Sequence, residues 1–217
     1  MGAGIRGISN VRPAAGLAAV LLSMACATGI TARAQDIRLV TVDGQKQMLA
    51  QPGTEPAGAR NPDVIIVEYF DYNCPYCKKL VPTLNDLLAQ DPKIGVVYKD
   101  WPILGAVSAY AAASALAAGW QGKYLVAHDA LMNGPRLASN DQVDSILQSA
   151  GVNMDTLAKD RASHASEIVA LLKRNDQEAH ALSLKGTPGL VVGRQLVDGI
   201  ADLSELKQLI ANSRKGN

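Results

Sequence analysis

The 217 residues carry 21 Lys and Arg against 20 Asp and Glu, a net charge of +1, and 48% of them are apolar. So even a balance provides no basic field for nucleic acid or an anionic membrane surface, while the apolar share is enough for a proper core.

The first 34 residues read as a secretory signal. Arg6 and Arg12 give a positive start, no Asp or Glu occurs before Asp36, and an apolar stretch covers about residues 14–30. Ala32-Arg33-Ala34 supplies the small-x-small pattern that signal peptidase reads, which predicts cleavage after Ala34. An uncleaved membrane anchor is the alternative; its length is borderline for a span, and Gly16, Ser23, Thr28 and Gly29 dilute it. A lipoprotein anchor on Cys26 fits less well, because Ser23 stands where a large aliphatic residue is expected. Cleavage leaves roughly 180 residues, enough for one domain. It also removes Arg6, Arg12 and Arg33, so the remainder is slightly acidic.

Residues 35–63 are expected to form an N-terminal strand or hairpin and a linker. Part of 37–49 alternates and contains Asp43-Gly44, a two-residue hairpin signal, and 51–62 are rich in Pro, Gly and Ala. The run Val64-Ile65-Ile66-Val67-Glu68-Tyr69-Phe70 suits a strand buried on both faces, with Glu68 its one charged interruption. Leu80, Leu84, Leu87 and Leu88 recur at helical spacing and predict a helix from Pro75 to about Ala89; residues 94–98 predict a second strand. Residues 64–104 therefore form a βαβ unit with parallel strands.

Between 105 and 184 no strand-like run occurs. An alanine-rich segment (107–118), an amphipathic one (123–132) and a capping-box start at Ser139-Asn140-Asp141-Gln142 predict helices. The helical pattern over 156–184 is long enough to require two helices or a kink. Residues 185–217 return to strand chemistry: Leu190-Val191-Val192 and Gln195-Leu196-Val197 flank Gly193-Arg194, a Gly-first hairpin turn of type II′. Asp202-Leu203-Ser204-Glu205 then starts a closing helix.

Without the signal, Cys74 and Cys77 are the whole thiol content. A bridge between them closes a four-residue ring and constrains the unfolded chain very little, so reversible chemistry explains the pair better than stabilisation does. Pro75 fits the first helical position, which puts Cys74 at the N-cap, where backbone N–H groups and the helix dipole favour a thiolate. Cys77 lies one turn deeper, placed to attack a mixed disulfide. Cys74 is thus the candidate nucleophile and Cys77 the resolving residue, with Pro75 and Tyr76 tuning the thiolate. Zinc sites share the C-x-x-C spacing but need four ligands, and neither a second C-x-x-C nor a close His pair accompanies it. His128, His164 and His180 fall in the helical middle. No metal and no cofactor is expected. Taken locally, Gly186-Thr187-Pro188-Gly189 is an ordinary turn before a strand.

Taken together, these stretches resemble the DsbA-like branch of the thioredoxin superfamily, and within it the ScsC-type periplasmic proteins. Phe70-Asp71-Tyr72-Asn73-Cys74-Pro75-Tyr76-Cys77-Lys78 is similar to that group's catalytic stretch, and Gly186-Thr187-Pro188 with Asp198-Gly199 to its C-terminal signature. The likeness runs from about Val64 to the C-terminus. It implies an α/β thioredoxin fold, a central mixed sheet flanked by helices, with the all-helical stretch 105–184 as an inserted subdomain. It also implies a periplasmic thiol–disulfide oxidoreductase whose partners are exported proteins with cysteines and a membrane or periplasmic redox partner. Pro188 would be cis, its loop facing the cysteines, and Thr187 would present its backbone to an extended substrate segment. Glu68, six residues before Cys74, matches the family's buried acid near the resolving cysteine and could take its proton. A partly exposed strand-end carboxylate is the other reading of Glu68.

Direction of electron flow stays open. Thr before the presumed cis-proline is typical of the family's isomerases and reductases, whereas 35–63 is too short for the separate N-terminal domain through which such isomerases oligomerise. Two other functions compete: a chaperone that holds unfolded exported proteins on the helical segment, and a copper or zinc carrier using the C-x-x-C pair.

Overall fold

The computed structural model describes Met1, residues 38–49 and residues 56–216. The expected signal and its cleavage site, and linker residues 51–55, lie outside the described residues. Alternation along strand β3 (Val64–Phe70) sets the layers. Val64 and Ile66 pack under helix α2 (Pro75–Gln90) through Leu80, Leu84 and Leu87, whereas Val67 and Tyr69 join a second cluster on the opposite face. Glu68, being even, falls on the α2 face, where its neighbours are core residues.

β3 runs parallel to β4 (Ile94–Asp100), with Glu68 opposite Tyr98. It runs antiparallel to β5 (Gly189–Val192), which forms a hairpin with β6 (Gln195–Asp198). Gly193 makes that turn with φ of +58°, and a Cβ there would strike the Ser213 side chain. The closing helix α8 (Leu203–Lys215) begins with a full capping box between Asp202 and Glu205 and adds Leu206, Leu209 and Ile210 to the α2 side.

The chain between β4 and β5 is helical: α3 (Ala106–Ala118), α4 (Tyr124–Asn133), α5 (Asn140–Ser149), α6 (Met154–Ser163) and α7 (Ala165–Ala181). The long pattern after Thr156 breaks at His164, where α6 ends and α7 begins. These helices share one apolar cluster that includes Phe70, Tyr72, Cys74 and Cys77, so the helical segment is packed against the cysteines themselves. No described helix is long and apolar enough to cross a membrane.

The N-terminal segment departs from the sequence reading. The expected hairpin turn at Asp43-Gly44 is instead the first turn of a helix, α1 (Val42–Leu49). Thr41 caps it, its Oγ1 accepting from the Gly44 amide at 3.0 Å, and the Gln45 side chain reaches across to the Gly193 carbonyl at 2.7 Å. A local turn signal therefore lost to a cap plus a tertiary anchor. Before α1, β1 (Arg38–Leu39) pairs with β6; within the expected linker, β2 (Ala57–Gly58) pairs with β4. The sheet order is β1-β6-β5-β3-β4-β2, so this segment contributes to both edges. Gly58 permits the second contact: its φ is +91° and a Cβ would lie 2.8 Å from the Ile94 carbonyl oxygen.

Removing the cap should loosen this arm alone. Thr41→Ala is expected to cost about 1 kcal/mol, read by hydrogen exchange as faster loss of protection in α1, with the reactivity of the cysteines unchanged.

Candidate active site

The carboxylate of Asp71 organises the loop that carries the site. It follows β3, is 1% exposed, and accepts from the Asn73 amide (2.7 Å), the Ser108 hydroxyl (2.7 Å) and the Leu104 amide (2.8 Å). The first of these makes an Asx-turn, and the other two tie the loop to the first turn of α3 and to the β4–α3 connection. The Cys74 amide then donates to the Asp71 carbonyl at 3.0 Å, turning the chain into α2 with Cys74 as N-cap and Pro75 as first helical residue.

Both thiols are unbridged and nearly covered, Cys74 at 4% and Cys77 at 0% exposure. The Thr187–Pro188 peptide bond is cis, and the Thr187 carbonyl lies 3.1 Å from Cys74 Sγ, accepting from it when Cys74 is a thiol. The Pro188 carbonyl is already occupied by the Gly199 amide at 2.9 Å. The structure thus brings together Cys74, Cys77 and Thr187. Pro75 is exposed, as is Tyr76, 53% accessible with the Lys79 ammonium 5.4 Å from its ring centre.

The electrostatics split the two thiols. Donation by the Cys77 thiol holds the Cys74 pKa down at about 5, with the Thr187 side chain and the amides of Cys77 and Tyr76 adding to it against the opposing effect of burial. Burial pushes the Cys77 thiol far above its usual range, and its own donation to Cys74 and the charge of Glu68 push it further. Glu68 is 2% exposed, not a partly exposed strand-end group, and its Oε1 has no hydrogen-bond partner. Burial, then the charge of Cys74, raise its carboxyl to about 8.

Several residues that position this centre carry no signal of their own in the sequence. Asn73 makes a reciprocal pair with Leu137, donating to its carbonyl (3.1 Å) and accepting from its amide (2.7 Å). Lys78 Nζ donates to the carbonyls of Leu131 (2.6 Å), Met132 (3.1 Å) and Gly134 (3.1 Å). His128 is buried against Phe70, Tyr72 and Tyr98 and, with its pKa pushed down to about 3 by burial, is a neutral core imidazole. Among the described residues, no three His, Cys, Asp or Glu side chains converge as metal ligands.

A model of the DSBA-like thioredoxin domain matches residues 65–211, about two thirds of the chain. The chain is similar to a thioredoxin-like oxidoreductase from Silicibacter pomeroyi DSS-3, with 36% identity and a TM-score of 0.75 over 81% of this chain and 99% of that one. It is also similar to the thiol-disulfide exchange protein alpha-DsbA2 from Wolbachia pipientis, with 27% identity and a TM-score of 0.73 over 79% and 92%. The catalytic domain of Proteus mirabilis ScsC, at 24% identity and a TM-score of 0.66 over 79% and 95%, shares the fold. The curated relatives that match are Na(+)/H(+) antiporters; identity to NhaA 1 of Salinispora arenicola (strain CNS-205) is 36% over 77 residues, 35% of this chain. The chain spans 12% of that relative's length.

Because the Glu68 pKa is raised on folding, its contribution is fully present below the unfolded value of 4.5 and is lost as pH rises through about 8. Reduced wild-type protein should therefore lose stability relative to Glu68→Gln between those limits. Urea denaturation of both at pH 5 and pH 8.5 measures the divergence; parallel behaviour would place the carboxylate in water.

Proposed function

The chain belongs to the DSBA-like thioredoxin domain family, and on that footing we propose that it is an exported protein thiol–disulfide oxidoreductase acting through Cys74 and Cys77. One observation carries this reading. Cys74 is the N-cap of α2, its sulfur faces the Thr187 carbonyl at 3.1 Å, and its thiolate is favoured down to about pH 5 by a neighbouring thiol.

In the reducing direction, the Cys74 thiolate attacks one sulfur of a substrate disulfide, and the other leaves as a thiolate that takes a proton from water. Cys77 then passes its proton to Glu68 and attacks Cys74 Sγ; the Cys74–Cys77 bond forms, and the substrate's second sulfur departs as a thiolate. Two electrons move from the site to the substrate. In the oxidising direction the same bonds break and form in reverse, with Glu68 returning the proton to Cys77. A carboxyl poised near 8 with an unpartnered oxygen suits both directions. The Thr187 carbonyl accepts from Cys74 only while Cys74 holds its proton. Once the thiolate or mixed disulfide forms, that carbonyl is released to accept an amide from an extended substrate segment.

The depressed Cys74 pKa weights the couple toward its reduced form, hence toward donating disulfides, and lies between the values of thioredoxin and DsbA. Substrates are then exported proteins bearing cysteines, and a membrane or periplasmic redox partner restores the site. Export rests on the N-terminal pattern ending at Ala34, with a membrane-anchored form facing the periplasm as its alternative; the mass of the protein recovered from a periplasmic extract separates the two.

Cys74→Ser is expected to abolish insulin-disulfide reduction, and Cys77→Ser to accumulate mixed disulfides visible on a non-reducing gel. Normal turnover by the Cys74 variant would overturn the mechanism. Equilibration with glutathione should give a potential between about −270 and −120 mV.

A further inference from the structure

Asn73 and Lys78 immediately bracket Cys74-Pro75-Tyr76-Cys77, and both bind the same piece of the helical segment. Asn73 holds Leu137 by two hydrogen bonds, and Lys78 holds by three the carbonyls of Leu131 and Met132 in the last turn of α4 and of Gly134, its C-cap. Three acceptors around one nitrogen match the three N–H bonds of an ammonium. Its position is electrostatically particular. The C-terminus of α4 carries the negative end of a helix dipole, and its Leu131 and Met132 carbonyls meet the Lys78 side chain of the helix that bears both thiols. The other groups whose charge reaches Cys77 are Glu68 and Cys74, both acidic, while the adjacent His128 is held neutral. Burial lowers the Lys78 pKa and the charges of Cys77 and Asp71 oppose that shift; Leu131 and Met132, two residues whose carbonyls Lys78 holds, pack in the cluster that contains Cys77.

From this arrangement we infer that Lys78 is a positioning residue for thiol exchange, an ammonium locked by the α4 carbonyls where it favours the thiolate that Cys77 becomes whenever the Cys74–Cys77 bond breaks. The inference rests on the exchange function proposed above. The step is balanced: an incoming thiolate bonds to Cys74 Sγ, the Cys74–Cys77 bond breaks, and the electron pair leaves on Cys77. With dithiothreitol as reductant, its second thiolate then attacks its own bound sulfur and expels Cys74, so the reagent is oxidised by two electrons and the site reduced by two. A cation beside the leaving sulfur lowers the leaving group's pKa and speeds the first step.

The test measures the rate at which dithiothreitol opens the oxidised protein at pH 7 and fixed ionic strength, alongside the thermal midpoint. Lys78→Gln keeps a donor for the α4 carbonyls and removes the charge; it should open roughly tenfold more slowly. Lys78→Arg should restore most of the rate. Asn73→Ala breaks the other half of the clasp without touching charge, and should lower the midpoint while slowing opening far less than Lys78→Gln does. The inference is overturned if Lys78→Gln opens at the wild-type rate, if Lys78→Arg is as slow as Lys78→Gln, or if Asn73→Ala slows opening equally. Should Lys78→Gln not fold, Lys78→Met takes its place with the same expected slowing. Because dithiothreitol needs no protein substrate, a wild-type protein inactive on insulin would sink the exchange function and leave this comparison intact.

Discussion

A thiolate held almost wholly out of water must find its solvation within the protein, and at Cys74 that solvation is assembled from a few short-range partners. The Cys77 thiol donates to it, the Thr187 side chain stands beside it, and the open end of α2 directs its first amides toward it. Each of these belongs to a different part of the chain, so the fold can be read as the set of restraints that keeps them within hydrogen-bond reach. The Asx-turn at Asp71 fixes where α2 begins, the β3–β5 pairing fixes where Thr187 arrives, and the Gly199 amide holds the loop through the Pro188 carbonyl. Loss of any restraint returns the sulfur to an apolar setting in which burial alone would push its pKa upward.

Glu68 shows the opposite device. It lies in register with Tyr98 on β4 and Leu190 on β5, so neither neighbouring strand offers it a cation at that level. An isolated carboxylate in such a place is costly, so burial raises its proton affinity. The same isolation makes it useful, because its proton affinity rises when Cys74 is charged and relaxes when Cys74 is bonded. The acid and the thiols titrate as one coupled system, with the charge of each setting the proton affinity of the others.

The sequence is most legible where local chemistry and tertiary structure agree. β3, α2 and the β5–β6 hairpin follow from alternation, leucine spacing and a Gly-first turn, and the N-cap place of Cys74 follows from Pro75. The α1 helix is not legible because Asp43-Gly44 is a sound turn signal in isolation; Thr41 and the distant Gly193 carbonyl decide the matter. Roles for Asn73 and Lys78 are not legible because their partners lie more than fifty residues away, in the end of α4 and the α4–α5 connection, and hydrogen bonds to main-chain groups leave no trace in the partner's residue type. The character of Glu68 was ambiguous for a related reason: a charged residue late in a strand is exposed or buried according to which helix covers that face.

The helical segment is therefore more than an appendage to the sheet. Its α4 helix supplies Ala127, Leu131 and Met132 to the cluster that contains both cysteines, and its His128 packs edge-on against Phe70 and Tyr72, so it forms a dry wall against the sulfurs. Dry walls strengthen every electrostatic interaction within them, favourable or not. The N-terminus of α2 favours negative charge at Cys74, whereas the C-terminus of α4 opposes negative charge in the same region. An active site between two such helix ends needs a cation at the second, and Lys78 stands there, saturated by the very carbonyls whose field it offsets. The contact that fastens the helical segment to the thioredoxin core is thereby also part of the field in which the thiols ionise.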